Sequence, residues 1–83
     1  FQNYPNPFNP NTIIKYIVSE NSEMKLKVYN IIGKEIQTLV EQMQTQGSYE
    51  VKFKGGNYSS GIYFYSLFIN NNLIETKRMI LLK

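Results

Sequence analysis

Gly61-Ile62-Tyr63-Phe64-Tyr65-Ser66-Leu67-Phe68-Ile69 runs into Asn70-Asn71-Asn72 and then Leu73 to Leu82, a pattern that points to paired β-strands. Ile62 to Ile69 is almost wholly apolar or aromatic, which fits a central strand covered on both faces. Asparagine tolerates left-handed backbone, so the Asn70-Asn71-Asn72 triplet reads as a hairpin turn and Leu73 to Leu82 as a long returning strand.

Working outward, Tyr49, Val51 and Phe53 alternate with Glu50, Lys52 and Lys54 after Gly47, the period-two signature of a strand. Gly55 to Gly61 is a flexible connection whose one large apolar member, Tyr58, is expected to dip into the core. Gly61 and Tyr63 have the spacing of a tyrosine corner, in which the Tyr63 hydroxyl returns to the backbone of the preceding loop while Tyr65 enters the core. Met24, Leu26 and Val28 alternate with Lys25, Lys27 and Tyr29 in a half-buried strand. Asn30-Ile31-Ile32-Gly33 follows as a hairpin loop, with Gly33 at positive φ and Ile31 or Ile32 folded back as a plug, and Glu35 to Val40 returns as the partner strand. Glu41 to Gln46 is polar enough to hold a helical turn. Thr12 to Ser19, fairly apolar on both faces, is the first strand.

Short strands separated by turn signals every 8–12 residues or so indicate an all-β, antiparallel immunoglobulin-like β-sandwich of six to seven strands. The expected core is Phe8, Ile14, Tyr16, Leu26, Val28, Ile36, Val51, Phe53, Tyr63, Tyr65 and Leu67. Pro5, Pro7 and Pro10 fix φ and withhold N–H donors, so residues 1–11 form an extended entrance arm, anchored by Phe8 and packed on a sandwich spanning residues 12–83. With 83 residues in all, one domain is expected, burying only about 60–65% of its unfolded surface.

Composition excludes several kinds of chemistry. There is no cysteine and no histidine, and every acidic residue is a glutamate: Glu20, Glu23, Glu35, Glu41, Glu50 and Glu75. A disulfide or thiolate-metal staple is therefore impossible, a zinc site lacks its ligands, and a calcium site without aspartate would be unusual. Catalysis lacks its commonest general base, and a nucleophile lacks an adjacent one. The reading is of a non-enzyme with no cofactor and no metal. The net charge of +3 is dispersed, with Lys77-Arg78 as its longest run, so no nucleic-acid partner is indicated. No apolar run approaches the ~20 residues of a membrane span. Phe1 is not a start methionine and no signal segment precedes the first strand, so a domain of a longer exported chain is expected, its export signal lying elsewhere. Tyr29, Tyr49, Tyr63 and Tyr65 offer a stacking platform for sugars, against the simpler reading of cross-strand packing. Asn57-Tyr58-Ser59 matches a glycosylation sequon but is given no role. Lys77-Arg78-Met79-Ile80-Leu81-Leu82-Lys83 is a short apolar strand with basic residues at both edges, placed where a receptor could read it.

Four ordered segments together resemble one family: Asn3-Tyr4-Pro5-Asn6-Pro7-Phe8-Asn9-Pro10 with Thr12-Ile13-Ile14-Lys15-Tyr16; Lys27-Val28-Tyr29-Asn30-Ile31-Ile32-Gly33-Lys34-Glu35; Ser60-Gly61-Ile62-Tyr63-Phe64-Tyr65; and Lys77 to Lys83. The chain is similar over its whole length to the type A C-terminal sorting domain of the type IX (Por) secretion system, and to the related immunoglobulin-like domain of flagellar hook-capping proteins. The resemblance implies a terminal module, covalently linked to an N-terminal cargo, that passes through the periplasm to the cell surface or medium. Its implied partners are the outer-membrane secretion machinery and a sortase-like protease. Lys77, Arg78, Met79, Ile80, Leu81, Leu82 and Lys83 become the expected sorting-signal residues, and Pro5, Pro7, Phe8, Pro10, Gly33, Gly61, Tyr63 and Tyr65 the structural ones. The alternative is an immunoglobulin-like structural or carbohydrate-binding accessory module of an extracellular protein.

Overall fold

Six runs of alternating or continuous apolar residues give six strands: β1 (Asn11–Val18), β2 (Ser22–Tyr29), β3 (Glu35–Gln44), β4 (Gly47–Lys54), β5 (Gly61–Ile69) and β6 (Asn72–Leu81). The structure is a computed structural model and describes Pro7 and residues 10–82. Pro5, Phe8 and Lys83 lie outside the described residues, as does most of the expected arm over 1–11; Pro7 and Pro10 are exposed. All pairings are antiparallel, β1 with β4 in one sheet and β3-β2-β5-β6 in the other. The four-stranded order is that of the C′, C, F and G strands of an immunoglobulin sandwich, and the β1–β4 pair that of B and E. No helix occurs among the described residues, so none there is long and apolar enough to cross a membrane.

The inward faces meet as the alternation requires. Ile14, Tyr16 and Val18 of β1 and Phe53 of β4 pack against Met24, Leu26 and Val28 of β2, Tyr63, Tyr65 and Leu67 of β5, and Met79 and Leu81 of β6. Val18, Met24, Met79 and Leu81 extend the expected core, whereas Ile36 and Val51 are only partly buried. β5 lies between β2 and β6, central in its sheet, but it is not covered on both faces as expected: Tyr63, Tyr65 and Leu67 are buried on the inner face, whereas Ile62, Phe64 and Phe68 on the outer face are only half-buried, because no second layer packs there among the described residues. Tyr65 is fully buried on the inner face, and on the outer face half-buried Phe68 is shielded by Lys27, whose ammonium stands 5.6 Å from the ring centroid.

Two local expectations are corrected. Ile31 and Ile32 do not plug the core: they are 62% and 82% exposed. The turn is closed by its own backbone, with the Gly33 N–H donating to the Asn30 carbonyl at 2.9 Å and the Asn30 N–H to the Lys34 carbonyl at 2.9 Å. Asn30 Oδ1 also accepts from the Ile32 and Lys34 amides. With the loop locked locally and Gly33 at φ 85°, both isoleucines point outward. Nor does Glu41 to Gln46 form a helical turn. β3 continues to Gln44 because Glu41, Gln42, Met43 and Gln44 pair with Lys25, Met24, Glu23 and Ser22, and buried Gln44 accepts the Tyr16 hydroxyl at 2.7 Å. Cross-strand pairing and one buried polar contact outweigh the local polar composition.

The asparagine turn forms as read. Asn70 and Asn71 take φ of 50° and 67°, the two left-handed positions of a tight hairpin. Asn70 also fastens the turn to β2: its side-chain oxygen accepts from the Glu23 amide at 3.0 Å and its own amide donates to the Glu23 carbonyl at 2.8 Å.

Candidate recognition surface

β6 forms the edge of the four-stranded sheet, with β5 as its strand neighbour among the described residues. The alternation of the strand divides the expected sorting residues between two faces. Met79 pairs in register with Tyr63 and Leu81 with Gly61; both side chains are fully buried and hold β6 onto the core. Arg78, opposite Phe64, is exposed on the outer face, and Ile80, opposite Ile62, is half-buried there. Lys77 is partly exposed, its ammonium 3.9 Å from Glu75, an ion pair worth little in water. Leu82 is about half exposed, at 51%. A partner approaching the folded domain thus meets Lys77, Arg78 and Leu82, whereas Met79 and Leu81 are reached only by unfolding β6.

The loop beside this strand is fixed by aromatic contacts. The Tyr63 hydroxyl donates to the Ser59 carbonyl at 2.7 Å, the geometry of a tyrosine corner. Tyr58 is half-buried, its ring 5.7 Å from Phe53 and 6.1 Å from Tyr63, bridging the two sheets as it dips toward the core. Gly61, at φ 154°, opens β5. Because Gly61 pairs with Leu81 and Tyr29 pairs with both Phe64 and Glu35, the corner loop, the Ile31-Ile32 turn and the end of β6 share one pole of the sandwich.

The structure does not assemble a sugar-stacking platform from the expected tyrosines. Tyr63 and Tyr65 are buried, and Tyr49 lies against Tyr16 with ring centroids 5.7 Å apart and planes at 13°. These three rings are engaged in packing, and Tyr29 is half-buried. Among the described residues no group of three or more His, Cys, Asp or Glu side chains is placed to hold a metal ion. Burial pushes the Tyr16 phenol above its ordinary value, with the nearby Tyr49 adding to the rise. Glu35 is held below its ordinary value, chiefly by the hydroxyl of Thr38 and then by Lys27. Both shifts have structural causes.

The inside-outside division of β6 went unread in the sequence. Its signal was the register of Met79 with Tyr63, which the turn at Asn70 and Asn71 alone does not give: the pairing shifts by one residue between Leu67 and Phe68, with Ile74 as the extra residue.

The family of the secretion system C-terminal sorting domain has a model that matches residues 2–82. No curated protein and no solved structure matches the chain.

Proposed function

The chain belongs to the family of type IX secretion C-terminal sorting domains, and from that premise we propose that it is a non-catalytic address that carries a covalently linked N-terminal cargo through the periplasm to the cell surface or medium. Its partners are the outer-membrane secretion machinery and, after export, a sortase-like protease. The observation that carries the reading is the family match over residues 2–82, essentially the whole chain.

At residue level, Lys77, Arg78, Met79, Ile80, Leu81, Leu82 and Lys83 form the sorting segment. Lys77 and Arg78 supply charge at the surface, and Met79 and Leu81 keep the strand in place. The placement of Lys77 and Arg78 on an edge strand supports this division, because edges are where a second chain gains access. A receptor-read address needs no affinity for lipid.

The test fuses residues 1–83 behind a periplasm-directed reporter in a host with type IX secretion, and compares surface delivery with the same reporter lacking the domain. Delivery that depends on the domain supports the proposal. Equal delivery with and without it overturns the sorting role and leaves an immunoglobulin-like appendage.

A further inference from the structure

The core is not covered evenly. On β1, Ile14 and Tyr16 are 0% and 4% exposed, yet their register partners on β4, Val51 and Tyr49, are only partly buried. Ile36, Leu39 and Val40 of β3 pack on the same core and are also only partly buried. The incompletely covered part of the core therefore lies along the β3–β4 flank. Four strands in one layer face two in the other, and β3 and β4 belong to different sheets, joined at one end by the short connection through Thr45 and Gln46.

The backbone of β4 defines what this flank can accept. The Gly55 amide donates to the Pro10 carbonyl at 2.7 Å, extending the β1–β4 ladder. Because N–H and C=O groups alternate sides along an antiparallel strand, the groups of Phe53, Val51 and Tyr49 also point toward β1. Those of Ser48, Glu50, Lys52 and Lys54 point away from it, where no strand pairing occurs among the described residues. The side chains of these four residues are exposed on the outer face and set a charge order of neutral, negative, positive, positive.

We propose that the β3–β4 flank is a strand-docking site: an extended segment of a partner protein adds to the outer edge of β4, laying apolar side chains over Ile36, Leu39 and Val40 and acidic ones beside Lys52 and Lys54. The edge amides require a strand, the partly buried floor requires apolar residues at alternate positions, and the two lysines require carboxylates opposite them. β3 and β6 are opposite edges of the four-stranded sheet, so this surface is separate from the sorting strand and stands independently of the export reading.

The test titrates the isotope-labelled 83-residue chain with the peptide acetyl-VEVEVKVS-amide, whose charges complement β4 in antiparallel pairing, and with the charge-inverted acetyl-VKVKVEVS-amide. Binding of the first peptide should be saturable and should slow amide exchange at Ser48, Glu50, Lys52 and Lys54 by about tenfold or more, with the inverted peptide binding more weakly because like charges then face each other. Lys52→Pro removes one outward N–H at a position an edge strand tolerates, and should abolish binding without lowering the melting temperature. Should that variant fail to fold, Lys52→Glu is the second probe, expected to reduce the preference between the two peptides. Absence of saturable binding at millimolar peptide would show that the charges only guard the edge, and would overturn the proposal. Protection confined to β6, or a dimer by sedimentation whose contact maps to β4, would overturn it equally.

Discussion

The Tyr63 hydroxyl donates to the Ser59 carbonyl at 2.7 Å, across four residues of chain. The bond closes the connection that carries the chain from the two-stranded sheet to the four-stranded one. It also gives a nearly buried phenol the partner it needs once water is excluded. A glycine-rich segment that would otherwise sample many conformations is thereby held beside the end of β6.

Tyr63→Phe should therefore cost about 1 kcal/mol, the usual net worth of such a hydrogen bond. In a domain of this size that lowers the melting temperature by roughly 4–8 °C. Calorimetry checks the size of the loss, and amide exchange through residues 55–60 should accelerate while the sheets keep their protection. A variant with an unchanged melting temperature would show that the bond does not hold the loop.

Val28→Ala removes two methyl groups from a fully buried site and should cost on the order of 1–3 kcal/mol through lost burial and the remaining cavity. Ile32→Ala deletes more hydrocarbon but from a side chain 82% exposed, and should stay within about 0.5 kcal/mol of the parent. Urea denaturation of both variants measures the contrast. Equal losses would contradict the outward orientation of the Ile31-Ile32 turn.

Tyr16 and Gln44 give a prediction in pH. Burial raises the Tyr16 phenol above its ordinary value of 10.0, so ionisation is easier in the unfolded chain than in the folded one. The stability contributed by neutral Tyr16 is complete below pH 10.0 and is lost as pH rises through the higher folded value. Tyr16→Phe should be less stable than the parent at pH 7 by about 1 kcal/mol, because Gln44 loses its donor. That deficit should shrink as pH rises above 10.0. Denaturation series at pH 7 and in alkali test this, and a constant gap would refute the assignment.

How much was legible in the sequence depended on whether a residue's role was local. Met24, Leu26 and Val28 alternate against lysines, and Asn70 and Asn71 suit the left-handed turn they make, so strand and hairpin could be read directly. The tyrosine corner was readable because its donor and acceptor lie four positions apart. Gln44 was not, because its reason to be buried is Tyr16, 28 residues away. Ile31 and Ile32 misled for the opposite reason: hydrophobicity argues for burial, yet the backbone bonds from Asn30 close the turn with both side chains outside. On β6 the composition marked the segment, and only its register with β5 separates buried Met79 and Leu81 from exposed Arg78.

That separation yields the last prediction. Met79→Ala or Leu81→Ala opens a cavity in the core and should cost about 2–5 kcal/mol, a large share of the total for so small a domain. Either variant should therefore lower reporter delivery together with the melting temperature. Lys77→Glu with Arg78→Glu changes only partly exposed or exposed groups, gives up the weak contact of Lys77 to Glu75, and should keep the circular dichroism spectrum and most of the stability. If the surface charge of β6 is read during export, this folded double variant should still deliver the fused reporter several-fold less well, and returning position 77 to lysine while Arg78→Glu is retained should recover part of the loss. Measuring delivery and melting temperature on the same set of variants separates damage to the fold from damage to recognition. Full delivery by the folded charge-reversed domain would remove Lys77 and Arg78 from the sorting determinant.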